Sequence, residues 1–311
     1  MRVFVTGASG WIGSALVPEL IGAGHQVVGL ARSDASAAAL TAAGAEALHG
    51  SLDDLDLLRQ AAAGSDGVIH LAFKHELAFS GDFQGAAGAD RRAVETFGEA
   101  LAGSDRPFVL ASGLLGLAPG RVATEADGLT ADAGSSAESG LEIRKATARL
   151  VLGLASQGIR SSVLRLPPTV HGDGDNGFMA AVVAAARERG ASGHVGDGSN
   201  RWPAVHRSDA ARLFRLALES APAGSALHAV DDQGVPLRDV AEVIGRHLGL
   251  PVVAVPPEQA VEHFGWVGAF LGIDSPASSE ATRALLDWKP TGPGLLDDLD
   301  QGHYVTDART V

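Results

Sequence analysis

Arg2-Val3-Phe4-Val5-Thr6-Gly7-Ala8-Ser9-Gly10-Trp11-Ile12-Gly13 is the stretch whose reading decides the fold. Val3, Phe4 and Val5 form a short apolar run of the buried-strand kind. The run passes into a glycine-rich turn, after which Ile12, Leu16 and Leu20 recur at helical spacing until Gly22 or Gly24. Glycines at 7, 10 and 13 permit a tight turn, close approach of the backbone to a pyrophosphate, and packing of the new helix on the sheet. The helix start offers unpaired N–H groups and the positive end of its dipole to that anion. In a chain with 40 glycines the spacing alone would decide little. The strand before it and the helix after it give it the context of a dinucleotide-binding turn.

The same alternation continues outward to about residue 166. Strands are predicted at Arg2–Thr6, Gln26–Ala31, Ala45–His49, Gly67–Ala72, Pro107–Ser112 and Arg160–Leu166, with helices near 12–23, 35–43, 54–63, 84–102 and 137–157. Short apolar strands separated by helices imply a parallel sheet covered on both faces. With right-handed crossovers the fold class is α/β, a Rossmann-type doubly wound sheet with its ligand crevice at the strand C-terminal ends. Beyond 166 the pattern turns irregular. Helices are predicted near 178–189, from Ser208 as N-cap with Asp209 in its first turn, and over 237–248 before Gly249. The expected organisation is a dinucleotide-binding domain of 1–166 plus about 201–230, and a smaller mixed substrate lobe of about 167–200 and 231–311. The Ala/Ser-rich segment 130–140 is expected to be a mobile loop.

Composition narrows the function. The 24 basic and 37 acidic side chains give a formal charge of −13, which argues against sequence-independent nucleic-acid binding. There are no cysteines, so disulfide and thiolate chemistry are excluded. No apolar run approaches the roughly 20 residues that span a bilayer, and a strand beginning at residue 2 leaves no room for a signal peptide. A cytoplasmic protein without membrane contact is expected. The eleven histidines show no metal-ligand pairing, and Asp173-Gly174-Asp175-Asn176-Gly177 lacks the glutamate of a calcium loop, residue 184 being alanine. No metal site is expected.

Taken together, the glycine motif, His70-Leu71-Ala72-Phe73, Leu110-Ala111-Ser112-Gly113, Lys145, the run Leu164 to Gly172 and the segment Val205 to Ala211 carry a resemblance. They resemble the extended short-chain dehydrogenase/reductase superfamily, in its NAD-dependent epimerase/dehydratase branch. The resemblance implies a nicotinamide dinucleotide held by Gly7, Ser9, Gly10, Trp11, Ile12 and Gly13, by Leu71, Ala72 and Phe73, and by Lys145, Pro167 and Val170. It implies Ser51 and Leu52 beside the adenine, although Ser51 replaces the usual acid, and it implies a homodimer built through the helices near 84–102 and 137–157. Where the family has a carboxylate for the ribose diol of NAD, this chain reads Ala31-Arg32-Ser33. A guanidinium with a neighbouring hydroxyl suits a 2′-phosphate, so NADP(H) is the expected cofactor. Asp53 and Asp54 read as caps of the following helix.

One position departs from the family. Its signature places tyrosine four residues before lysine on one helix face, where the ammonium lowers the phenol's pKa. Here Leu141 precedes Lys145, and the single tyrosine of the chain is Tyr304. Loss of a general acid costs about 10²–10⁴ in rate. Either another group donates the proton, with Ser112, Lys145, Lys74, His75, His171 and His206 as candidates, or the substrate needs little acid help, or cofactor binds without turnover. The leading expectation is an NADP(H)-dependent reductase acting on a small carbonyl, imine or activated alkene. Lys145, Ser112 and His206 are its candidate catalytic residues. A redox sensor that binds NADP(H) is the alternative, and a nucleotide-sugar epimerase or dehydratase a weaker one. Trp202 either roofs the cleft or packs two lobes together, while Phe264, Trp266 and Phe270 read as core of the small lobe.

Overall fold

The computed structural model describes residues 1–130 and 140–305. Residues 131–139, within the segment expected to be mobile, lie outside it. The first half of the chain alternates strand and helix: β1 (Arg2–Thr6), α1 (Gly13–Gly22), β2 (Gln26–Ala31), α2 (Asp34–Ala42), β3 (Glu46–His49), α3 (Leu55–Ala63), β4 (Gly67–His70), α4 (His75–Phe79), α5 (Phe83–Leu101), β5 (Pro107–Gly113), α6 (Gly140–Gly153) and β6 (Arg160–Leu166). Then come β7 (Thr169–His171), α7 (Phe178–Arg189), β8 (Ser192–Val195), β9 (Arg201–His206), α8 (Arg207–Ser220), β10 (Ser225–His228), β11 (Asp232–Pro236), α9 (Leu237–Leu248) and β12 (Val252–Val255). Four short helices end the described chain: α10 (Ala260–Phe264), α11 (Gly268–Leu271), α12 (Glu280–Leu286) and α13 (Leu295–Asp300).

The large sheet has the order β10-β6-β5-β4-β1-β2-β3, and every neighbouring pair is parallel. The chain leaves β1 toward β2 and β3, then crosses back to lay β4 on the other side. That reversal opens a crevice at the C-terminal ends of β1 and β4. Both faces are covered, as a parallel sheet requires. On one face Leu16, Leu20, Phe214, Leu218 and Trp288 pack against Val3, Val5 and Ile69. On the other, Leu58, Val94, Phe97 and Val151 pack against Phe4, Val68 and Phe108. A third core, around Trp202, Met179, Val240, Phe264 and Val267, lies with two small sheets, β11-β9-β7 and β12-β8. Among the described residues no helix is long and apolar enough to cross a membrane.

Three local readings need correction. The seventh strand of the large sheet, β10, was not predicted; four residues flanked by Gly224 and Ala229 carry too short an alternation. β4 stops at His70 rather than Ala72 because the Ala72 N–H donates to the Thr6 hydroxyl at 3.2 Å, pulling the chain off the ladder. The cap of α8 is His206, not Ser208: its imidazole takes the Ser208 N–H while Ser208 lies inside the first turn.

Candidate functional site

The glycine turn is closed as tightly as its sequence demands. Gly7 sits at φ +68°, and a Cβ there would lie 2.8 Å from the Ala72 amide nitrogen, so the end of β1 and the chain after β4 touch backbone to backbone. At Gly13 a Cβ would fall 2.2 Å from the Gly7 carbonyl oxygen and 2.5 Å from that of Ala8. The Gly10 N–H donates to the Gly7 carbonyl at 3.0 Å, whereas those of Trp11, Ile12 and Gly13 meet no backbone carbonyl among the described residues. Donors left at a ten-residue helix start, beside a turn that excludes side chains, fit a diphosphate.

Below the turn lies a buried relay that the sequence reading passed over. The Thr6 hydroxyl stands 2.6 Å from His70 Nδ1, and His70 Nε2 lies 3.3 Å from the Asp90 carboxylate. All three side chains are almost fully buried. They pin β1, β4 and α5 together beneath the crevice, and the Thr6 hydroxyl holds Ala72 beside Gly7.

The adenosine end is framed by β2 and β3. Arg32 follows β2 with 65% of its side chain exposed, and among the described residues its one ion-pair partner is Glu76, at 3.8 Å. The Ser33 hydroxyl caps α2 by accepting the Ser36 N–H at 3.2 Å. After β3, Ser51 donates its N–H and hydroxyl to Asp54 at 2.7 and 2.9 Å, and these bonds hold the Asp54 carboxyl below the usual range. Leu52 is buried. Neither aspartate acts as the expected helix cap: Asp54 holds the Cap position of α3 but turns its carboxylate back to Ser51, and Asp53 takes the Lys74 ammonium at 2.6 Å. That ion pair joins the loop after β3 to the chain after β4.

On the other side of the switch point, Ser112, the last residue but one of β5, is in register with Arg165 of β6. Lys145 on α6 is paired with Glu142 at 3.0 Å. Its neighbour Arg144, which sequence reasoning missed, lies over the Phe73 ring at 4.0 Å and donates to the Ala111 carbonyl at 3.4 Å. Counting three, four and seven residues back from Thr147, Ala148 and Val151, which share one buried face of α6, would have found it.

His206 ends β9, in a different sheet from Ser112. It lies opposite His171 across β9 and β7, their rings 5.6 Å apart. Its Nδ1 faces the Ser208 hydroxyl at 2.7 Å, and burial, then the charge of His171, lower its pKa. His171 is fully buried against Asp298 at 2.8 Å. The glycine turn reaches this second group directly: Trp11 Nε1 donates to the Val170 carbonyl at 2.8 Å, and the Arg207 guanidinium lies 4.2 Å over the Trp11 ring. Pro167 is buried between the two sheets.

Trp202 does not roof the crevice. It is fully buried, donates to the Ile273 carbonyl at 3.0 Å and stacks edge-on with Phe178, which also meets Trp266 and Phe270. The loop of Asp173 to Gly177 is a turn: Asp175 accepts the Gly177 N–H at 2.7 Å and the Tyr304 hydroxyl at 2.9 Å. Burial and the nearby Asp175 push the Tyr304 phenol well above its usual range, so the chain's one tyrosine stays protonated there.

The sequence profile of the NAD dependent epimerase/dehydratase family matches residues 3–87. An uncharacterized protein of Schizosaccharomyces pombe is 44% identical over 313 residues, covering 98% of this chain and 100% of that one. The 2-alkyl-3-oxoalkanoate reductase of Stenotrophomonas maltophilia is 27% identical over 271 residues, covering 81% of this chain and 77% of its own. Among solved structures, a dTDP-glucose 4,6-dehydratase from Streptomyces venezuelae with NAD bound superposes with a TM-score of 0.76 at 20% identity, covering 97% and 96% of the two chains. That likeness is one of overall fold. The glycine turn, the strand order and these relatives place the chain in the NAD-dependent epimerase/dehydratase family of the extended short-chain dehydrogenase/reductase superfamily.

Proposed function

We propose that the protein is an NADP(H)-dependent reductase acting on a small carbonyl, imine or activated alkene. The observation that carries this reading is the glycine turn, closed at Gly7 and Gly13 with no room for side chains, beside which the Trp11, Ile12 and Gly13 N–H groups meet no backbone carbonyl among the described residues, as suits a diphosphate. Arg32 supports the phosphorylated form of the cofactor. It is a cation at the end of β2, where a carboxylate would repel a 2′-phosphate, and the Ser33 and Ser36 hydroxyls stand next to it at the α2 start. The Stenotrophomonas reductase supports the direction of reaction.

When bound, the nicotinamide supplies or accepts the hydride. The protein's own share is positioning. Lys145 holds the nicotinamide ribose, with Glu142 fixing the ammonium. Ser112 orients the carbonyl oxygen from the end of β5. With leucine at 141 no phenol stands four residues before Lys145, and Tyr304 is engaged elsewhere. The proton therefore comes from solvent or from the substrate's own chemistry, which suits acceptors whose reduction does not need simultaneous protonation. The substrate is a small molecule, and two copies of the chain pair through α5 and α6.

Calorimetric titration with NADPH and NADH tests the cofactor. NADPH is expected to bind at least tenfold more tightly, and Arg32→Ala to remove most of that difference. Stopped-flow absorbance of NADPH with aldehydes, ketones, cyclic imines and enones tests the reaction. Tight binding with no oxidation by any class would refute the reductase and leave a nucleotide sensor.

A further inference from the structure

Among the described residues, Arg144 is a cation without an acid in contact. Its guanidinium lies over the Phe73 ring and spends one weak donor on Ala111. No carboxylate of the described residues comes within 4.0 Å of it. The nearest influence of that kind is Asp90, which is turned toward His70 at 3.3 Å. Arg121, Arg201, Arg212, Arg215 and Arg283 each hold a carboxylate directly. Arg165, which is buried, has its Nη1 committed to His228. Arg207, over the Trp11 ring, likewise has no carboxylate within 4.0 Å among the described residues.

An arginine taken out of water without a partner is costly, and such a residue is retained where an anion completes it. Burial lowers the Arg144 pKa, which reports that cost. Its field also lowers the pKa of His75, two residues after Phe73, so the positive potential extends to the chain beyond β4. Lys145 does not share the task, since Glu142 already balances it.

Position says which anion. Thr147, Ala148 and Val151 of α6 are buried, and Arg144 lies one turn before them on the side turned to the sheet. It reaches Phe73 after β4 and the Ala111 carbonyl immediately before Ser112. The diphosphate seat is at the end of β1, on the far side of β4. Stacking on Phe73 fixes the guanidinium plane and leaves most of its fork of donors for a planar, two-oxygen acceptor.

We infer that Arg144 receives a carboxylate carried by the substrate, so that the group reduced belongs to an oxo acid rather than to a neutral ketone. The inference rests on the reductase reading and deepens it.

The test sets 3-oxohexanoate and 3-oxodecanoate against their methyl esters, which differ in charge and little in shape. Dissociation constants are measured by calorimetry on the full chain, with NADP⁺ and without nucleotide, alongside KM and kcat with NADPH. At least one acid is expected to bind tenfold or more tightly than its ester. Arg144→Gln is expected to weaken the acid by roughly 10- to 100-fold, the worth of a charge-assisted pair. Ester and NADP⁺ affinity should stay within about threefold of the native value, the loss appearing in KM more than in kcat. Arg144→Lys keeps the charge without the fork and should lose a smaller factor for the acid alone. It decides the matter should the glutamine variant not fold.

Equal binding of acid and ester by the native protein, or no acid binding while NADP⁺ binds normally, overturns the inference and leaves the cofactor reading intact. A parallel loss of NADP⁺ and acid in Arg144→Gln also overturns it, assigning Arg144 to the diphosphate or to packing. Failure of the native protein to bind either nucleotide strikes the reductase reading instead. The acid–ester comparison on nucleotide-free protein then still decides whether Arg144 selects anions.

Discussion

Gly10 and Gly13 look equivalent in the sequence, yet the atoms around them differ. A methyl group at Gly13 would meet the Gly7 and Ala8 carbonyl groups at 2.2–2.6 Å, and backbone cannot step aside. At Gly10 the only neighbour is the Gly7 oxygen, at 3.2 Å. Gly13→Ala is therefore expected to lower the melting temperature of the nucleotide-free protein, costing about 3 kcal/mol or more through strain and overpacking. Gly10→Ala should cost less than about 1 kcal/mol without nucleotide and show its effect in NADPH affinity instead. Thermal melts and calorimetry on both variants separate the two roles. An equal loss of stability would contradict the geometry. The turn was legible because glycine at a position of positive φ, or beneath a close-packed helix, has no substitute. Arg144 was not, because nothing in a string of letters marks a charge as unpaired. Its meaning comes from Phe73 and Ala111, which are distant in sequence and brought to it only by the fold.

Between elements, the pair β6 and β10 carries a pH-sensitive joint. His228 Nδ1 donates to the Ser278 carbonyl at 2.8 Å, so Nε2 is the acceptor for Arg165 at 3.2 Å and the ring is neutral. Burial, then the adjacent Arg165 charge, lowers its pKa to about 4. In the unfolded chain the ring titrates near its ordinary value of 6.5. Between those limits the unfolded chain binds the proton and the folded one does not, so stability rises with pH. The contribution is fully present above about pH 6.5 and is lost as the pH falls to about 4, a change on the order of 3 kcal/mol. Urea unfolding at pH 7.5 and 4.5 should show the native protein losing more stability across this interval than His228→Gln, even though the variant starts weaker. Equal slopes would show that His228 does not set the acid limit. Up to residue 166 most helices and strands were legible within a residue or two, since 3.6- and 2-residue periodicities survive in local sequence, whereas the small-sheet strands β7, β8, β11 and β12 were not predicted. Nor was β10, because a four-residue edge strand is defined by what it pairs with. The α8 start was misread for a related reason: histidine is a rare cap, and only the backbone direction shows its imidazole taking the Ser208 N–H.

Across the whole molecule, the C-terminal segments are sewn back onto the nucleotide-binding half. The buried Asp209 carboxylate accepts the Thr291 and Gly292 N–H groups at 3.0 and 2.7 Å and holds Arg212, while Trp288 donates to the Asp209 carbonyl. Asp209→Ala would strand two backbone donors and a cation. It should destabilise the protein by about 3 kcal/mol, read as a lowered urea midpoint, with Asp209→Asn intermediate. A change below about 0.5 kcal/mol would show that this clasp contributes little. The end of the strand–helix alternation was visible in the sequence after residue 166, but these long-range stitches were not. Each joins a side chain to backbone groups some eighty residues away, which no local pattern encodes. The Trp11 indole has a consequence of its own. By gripping Val170, it makes the glycine-rich loop also a tendon of the neighbouring sheet. Whatever displaces that loop therefore pulls on β7 directly, with no strand of the large sheet in between.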